Sequence, residues 1–154
     1  MDQIYQQALL DMAAQTRRLP QISRVDASAV KNNPICGDQV TLSVQLQGQQ
    51  IAASHLAVRG CALCEAGAGL WHQLATGRDL AQLPVLADAL ASWLKGESEE
   101  MPDAAASCFE PVRAIKNRHK CVLLAFEAGR QLDRQPGRQM DRQLDQQTGQ
   151  TATD

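Results

Sequence analysis

Cys36, Cys61 and Cys121 are the residues of this chain whose surroundings suit them to chemistry. Cys36 lies in Asn33-Pro34-Ile35-Cys36-Gly37-Asp38, a turn that also holds a carboxylate. Cys61 follows Arg59-Gly60 after an alternating apolar run, and Cys121 follows the basic stretch Lys116-Asn117-Arg118-His119-Lys120. With Asp38 they make a set of three thiolates and one carboxylate. Such a set holds Zn²⁺ in tetrahedral geometry, and thiolates are the ordinary ligands of iron–sulfur clusters. The carboxylate is the informative member. Oxygen is a harder donor than a fourth thiolate and should loosen a cluster. It suits a site that loads and unloads rather than a permanent electron-transfer centre.

These residues need elements to position them. Ile4, Ala8, Leu9 and Met12 give one apolar side to a helix over residues 3–16, which Pro20 ends. A first strand is expected over 25–30, then a turn at Asn32-Asn33-Pro34. Val40, Leu42, Val44 and Leu46 alternate with Thr41, Ser43, Gln45 and Gln47, the period of a half-buried strand. Gly48 turns the chain into a second hairpin arm over 51–58. Leu63, Ala66, Leu70 and Leu74 then fit a helix that stops at Thr76-Gly77. Val85, Leu86, Ala89, Leu90, Trp93 and Leu94 fit another, with Pro84 at its start and Gly96 at its end. An acidic loop follows over 97–103, residues 104–115 are expected to be helical in part, and a closing helix runs on from Cys121. Strands followed by helices predict an α+β fold. It comprises an N-terminal helix, a small three-stranded antiparallel sheet, then several helices packed on one face.

On this map Cys36 sits in a turn between strands, Cys61 at a strand-to-helix junction and Cys121 at or before the start of the last helix. Helix N-termini favour thiolate over thiol. Gly37 and Gly60 allow tight turns or close approach, and Lys116, Arg118 and Lys120 add positive charge beside Cys121. These features predict exposed, ionised thiols.

The chain has 154 residues, 44% of them hydrophobic but only 3% aromatic, so its core must rest on Leu, Val, Ile and Ala. A formal charge of −2 and a pI of about 5.9 lack the basic bias of nucleic-acid binding. The N-terminus lacks the basic and apolar regions of a secretory signal, and no apolar run approaches the roughly 20 residues of a membrane span. Cytoplasmic localisation is expected. Five cysteines in such a chain point to metal binding, reactivity or burial rather than disulfides. A domain is expected over 1–132. Residues 133–154 repeat Arg-Gln-x-Asp units and have too few apolar residues to offset the entropy of ordering, which predicts a disordered tail.

Asn33-Pro34-x-Cys36-Gly37-Asp38, Gly60-Cys61-Ala62-Leu63 and Arg118-x-Lys120-Cys121, in this order, resemble the iron–sulfur cluster assembly scaffolds of the IscU/SufU/NifU N-terminal type. The resemblance spans Ile4 to Leu132. It implies an α+β fold, metal ligation by Cys36, Cys61 and Cys121, and a ligating carboxylate at Asp38. It leans to the SufU branch, because Lys120 stands where the IscU branch has a histidine and the Cys61–Cys121 stretch is long. The implied function is a scaffold rather than an enzyme, with a zinc-dependent sulfurtransferase as the enzymatic alternative. The scaffold receives iron, and sulfur from a cysteine desulfurase, builds a labile cluster of the 2Fe-2S type, and passes it to apo iron–sulfur proteins. The alternative is a zinc-binding sulfur acceptor that stimulates the desulfurase, with Cys121 as the nucleophile toward its persulfide. A structural zinc module is a third reading.

The resemblance implies a site or partner-facing electrostatic role for Arg118. The chain departs from the family pattern at Ala13–Arg18, where relatives carry an aromatic, Asn-Pro-rich docking stretch, and at Cys64, where a small residue such as Ser is usual. Cys64 is read as a core residue, with a fifth ligand or redox partner as the other possibilities. Cys108, His55 and His72 are read as structural, His119 as solvated, and Trp71 and Trp93 as core anchors.

Overall fold

The alternation from Val40 to Leu46 becomes the central strand of a three-stranded antiparallel sheet of order β1-β2-β3, with β1 at Ala27–Asn32, β2 at Gln39–Gln47 and β3 at Gln50–Arg59. The computed structural model describes residues 3–132, so the expectation of a disordered tail over 133–154 lies outside the described residues. Val40, Leu42, Val44 and Leu46 are buried, while Thr41, Ser43 and Gln45 between them are half-buried. Because side chains alternate along a strand, this register turns one whole set inward. Leu42 faces Ala29 on β1 and Leu56 on β3, which continues the apolar face across the sheet.

α1 (Gln3–Arg17), α2 (Ala62–Ala75) and α4 (His119–Arg130) cover that face, and α3 (Leu83–Lys95) packs on α4, with a 3₁₀ segment at Ala104–Ala114 before α4. The expected α+β architecture therefore holds. Among the described residues no helix is long and apolar enough to cross a membrane. Trp71, Trp93, Phe109 and Phe126 are the largest fully buried side chains. Few as the aromatics are, they sit where the helices meet. At the α2–α4 crossing Gly67 lies against the Val122 carbonyl, and the Trp71 indole fills the space where a Cβ on Gly129 would stand.

The differences from expectation have local causes. β1 begins at Ala27 rather than Val25, which is 57% exposed. Asp26 instead turns its carboxylate to accept the Leu46 N–H at 2.7 Å. The 104–114 segment is 3₁₀ throughout, and Pro111 inside it cannot donate to an α-helical ladder. The closing helix starts at His119, so Cys121 falls within its first turn rather than ahead of it.

Candidate metal centre

The turn between β1 and β2 carries two of the predicted residues and points them differently. The Asn33 N–H donates to the Asp38 carbonyl at 2.8 Å and the Gly37 N–H to the Asn33 carbonyl at 2.8 Å. The Asn33 side-chain oxygen accepts from the Ile35 N–H at 3.2 Å. Gly37 supplies the left-handed backbone this closure needs, with φ of 79°. The result exposes Cys36 and buries Asp38.

Asp38 rests on Gly60 at the end of β3. A Cβ built on Gly60 would lie 2.8 Å from the Asp38 carboxyl carbon, so only glycine leaves that carboxylate its place. Cys61 follows as the N-cap of α2, and its Sγ lies 3.8 Å from Asp38 Oδ2. Cys121 arrives from the first turn of α4. One ligand atom each from Cys36, Asp38 and Cys121 lies within 4.8 Å of the others. Cys61 is outside that triplet, but its Sγ reaches Asp38 and it lines the same cavity as Cys121. All four line one cavity of about 430 Å³, together with Arg118 and Lys120.

The expectation of exposed, ionised thiols is corrected. Cys36 is exposed, Cys61 is half-buried, and Cys121 is buried. The Cys121 thiol is pushed up from 9.0 to about 12, by burial first and then by the neighbouring Cys61. Arg118 pulls the other way. The helix N-terminus was expected to favour thiolate, but desolvation of a buried charge outweighs a partial dipole. A metal at this position must therefore displace a proton from Cys121.

Arg118 proves to belong to the site. Its guanidinium is held further toward the charged form by Cys61 and then Cys121, with which it lines the cavity. Its Nε is buried with no hydrogen-bond partner. A buried donor left unpaired costs about 1–3 kcal/mol, so an anionic or sulfur-bearing occupant would complete it. The sequence signal was the basic stretch; its direction could not be read from composition. Asn33 as the turn's internal brace and Gly60 as the seat of Asp38 were legible only as turn-forming types.

His119 is not solvated. Its ring is buried, and Nε2 donates to the Val112 carbonyl at 3.0 Å and the Arg113 carbonyl at 3.1 Å. Two carbonyl partners place the proton on Nε2 and tie the 3₁₀ segment to α4. His72 shares a 2.7 Å hydrogen bond with Ser54, and His55 a 3.1 Å one with the Pro20 carbonyl. Cys64 is fully buried and its thiol is pushed well up by that burial. Cys108 is buried on the 3₁₀ segment and is raised to about 11 for the same reason. Trp71 and Trp93 are core residues, as expected.

The family profile described as NifU-like N terminal domain matches residues 4–117, ending just before the Arg118–Cys121 stretch. The chain is 25% identical over 133 residues to the zinc-dependent sulfurtransferase SufU of Bacillus subtilis, covering 83% of this chain and 88% of that protein. It is 24% identical over 130 residues to the iron-sulfur cluster assembly scaffold protein IscU of Streptococcus pyogenes serotype M1, covering 83% and 81%. The crystal structure of a nitrogen-fixing NifU-like protein (N-terminal) from Brucella abortus superposes with a TM-score of 0.73 at 29% identity, covering 85% of this chain and 92% of that one.

Proposed function

Since the chain belongs to the NifU-like N-terminal domain family, we propose that it is an assembly scaffold for iron–sulfur clusters, with Cys36, Asp38, Cys61 and Cys121 as the receiving ligands. The observation that carries this reading is the donor set around one cavity: a carboxylate in contact with thiols from three separate elements. Three soft sulfurs suit cluster iron, and the single oxygen keeps the product labile enough to leave. Cys36, exposed at the rim, is the ligand an incoming apo-protein reaches first. Cys121, at the back, is the ligand whose proton must go. The role is assigned to residues 1–132 in a cytoplasmic setting, with a cysteine desulfurase supplying sulfur and apo iron–sulfur proteins receiving the cluster.

Anaerobic reconstitution with iron and sulfide tests this. A visible chromophore should form on the wild type and fail on Cys121→Ser. Asp38→Ala should retain the chromophore longer during transfer to an apo-ferredoxin. A chromophore that is absent from the wild type, or a lifetime unaltered by Asp38→Ala, contradicts the scaffold reading.

A second reading draws on Arg118, which lines the same cavity as Cys61 and Cys121, and on the likeness to a zinc-dependent sulfurtransferase. The same four ligands fit Zn²⁺, which when bound would hold the thiols as thiolates. Freed as a thiolate beside Arg118, Cys121 would attack the outer sulfur of a desulfurase persulfide. The donor S–S bond breaks, the donor cysteine leaves as thiolate, and Cys121 carries the persulfide. Desulfurase turnover measured with and without this protein decides between the readings. Stimulation that Cys121→Ser abolishes supports the sulfur acceptor, and unchanged turnover removes it.

A further inference from the structure

Cys64 is a thiol that neither reading uses. It closes the sequence Cys61-Ala62-Leu63-Cys64 across the start of α2. Cys61, as N-cap, has extended backbone with φ of −78° and ψ of 170°, and so stands outside the helical ladder. Cys64 lies one turn in, fully buried. Its side chain belongs to the hydrophobic core cluster. Residues at this spacing have Cβ atoms about 5–6 Å apart on a regular helix. A disulfide needs about 3.5–4.5 Å, and the extended N-cap supplies the freedom to close that gap. A half-exposed first thiol and a buried second one, opening a helix, is the arrangement of dithiol redox pairs. Cys108 is no competitor, because it lies on the 3₁₀ segment with its thiol toward the Ala105 carbonyl. Cys36 and Cys121, which share the site cavity with Cys61, are the competing thiols that mapping must distinguish.

We propose that Cys61 and Cys64 form a reversible disulfide under peroxide, and that this bridge withdraws Cys61 from the ligand set. The second half rests on the ligand assignment made above. In the first step the Cys61 thiolate attacks the peroxide O–O bond, giving the sulfenic acid and releasing hydroxide. The Cys64 sulfur then attacks that sulfur, the S–O bond breaks, and water leaves with the Cys64 proton. Two thiols are oxidised to one disulfide while one peroxide is reduced to two waters. A dithiol reductant reverses the bridge by exchange. The disulfide sulfur of Cys61 has no thiolate to offer a metal, leaving Cys36, Asp38 and Cys121.

The metal-free full chain is treated with one equivalent of hydrogen peroxide, alkylated after denaturation, and mapped by mass spectrometry. Loss of two alkylatable thiols, confined to Cys61 and Cys64, is expected. Cys64→Ala should instead leave Cys61 as a sulfenic acid that dimedone traps, with the circular dichroism of the wild type. Zinc affinity, read by competition with a chromophoric chelator, should fall about 10-fold or more on oxidation and return with dithiothreitol. Reduced Cys64→Ala should bind zinc as the wild type does. Cys64 remaining alkylatable, or Cys61 bridging to Cys36 or Cys121, overturns the proposal. A Cys61–Cys64 bridge in a chain that takes up neither zinc nor cluster when reduced upholds the thiol pair and overturns the ligand assignment. Metal uptake without a bridge overturns the pair alone.

Discussion

The layer formed by α3 and the 3₁₀ segment and the cavity end of the molecule each contain a buried cysteine, and they are built on opposite terms. Around Cys108 every local choice agrees. Asp79 and Gln82 form a reciprocal cap ahead of α3, and Gly96 closes that helix in the left-handed conformation. Asp103 caps the 3₁₀ segment. Arg113 donates to the Trp93 carbonyl at 2.8 Å, pairs with Glu99 at 3.0 Å, and lies 5.0 Å from the centre of the Trp93 ring. Around Cys121 the choices conflict. A carboxylate is buried against thiols, the cysteine is held neutral by desolvation, and a guanidinium nitrogen has no partner. Folded sequences are locally consistent except where function demands otherwise. The contrast thus separates what holds the fold from what the fold holds.

Substitutions that perturb one region should spare the other. The largest effects should come from one substitution in each. Cys121→Ser should weaken metal binding by more than the roughly 10–100-fold that loss of an outer partner costs, with the urea midpoint of the metal-free protein maintained. Phe109→Ala should do the reverse, losing about 3–5 kcal/mol of stability while the folded fraction keeps its metal stoichiometry. If both substitutions act on both readouts alike, the two regions are not separable.

Gly60→Ala comes next. Its new Cβ meets the Asp38 carboxyl, which must move or strain the junction. A stability loss of about 1–3 kcal/mol is expected for such overpacking, with metal affinity reduced as well. Unchanged affinity would mean that the position of Asp38 does not matter to the site.

Much of this was legible in the residues. The strict alternation at 40–47 determines a register, because slipping it by one residue would expose four apolar side chains. Pro84 and Gly96 punctuate α3 at the positions where their backbones fit. The three cysteine neighbourhoods, read with Asp38, indicated a shared site, and the structure brings Cys36, Asp38 and Cys121 together with Cys61 at their edge. What was not legible depends on depth. Lys116-Asn117-Arg118-His119-Lys120 reads as one charged stretch, yet the backbone exposes Lys116 and Lys120, buries the His119 ring and turns Arg118 onto the thiols. The protonation of Cys121 likewise follows from desolvation, which spacing along the chain does not encode.

The pH dependence should be smaller and should act on both regions. Burial raises Cys108 from 9.0 to about 11 and Cys121 from 9.0 to about 12. Both thiols are neutral in the fold and ionise more readily when unfolded. Their contribution is whole below pH 9 and is lost as pH rises through the folded values. The denaturant midpoint of the metal-free protein should therefore hold to about pH 9 and fall above it, whereas metal affinity should rise with pH as protons are easier to displace. A midpoint that climbs above pH 9 would show that these thiols are not neutral and buried. The smallest effect is expected from Arg118→Gln, which keeps a donor but removes the charge beside Cys61 and Cys121. Metal affinity should change by roughly 10-fold, as for other outer partners, with helicity unaltered. No change in affinity would return Arg118 to the solvated surface.

The proposed site has one ion shared by Cys36, Asp38, Cys61 and Cys121. X-ray absorption of the zinc-loaded, reduced protein should show three sulfurs at about 2.3 Å and one oxygen at about 2.0–2.2 Å, with the oxygen lost in Asp38→Ala. Four sulfurs, or a shell in which Asp38→Ala changes nothing, would contradict it.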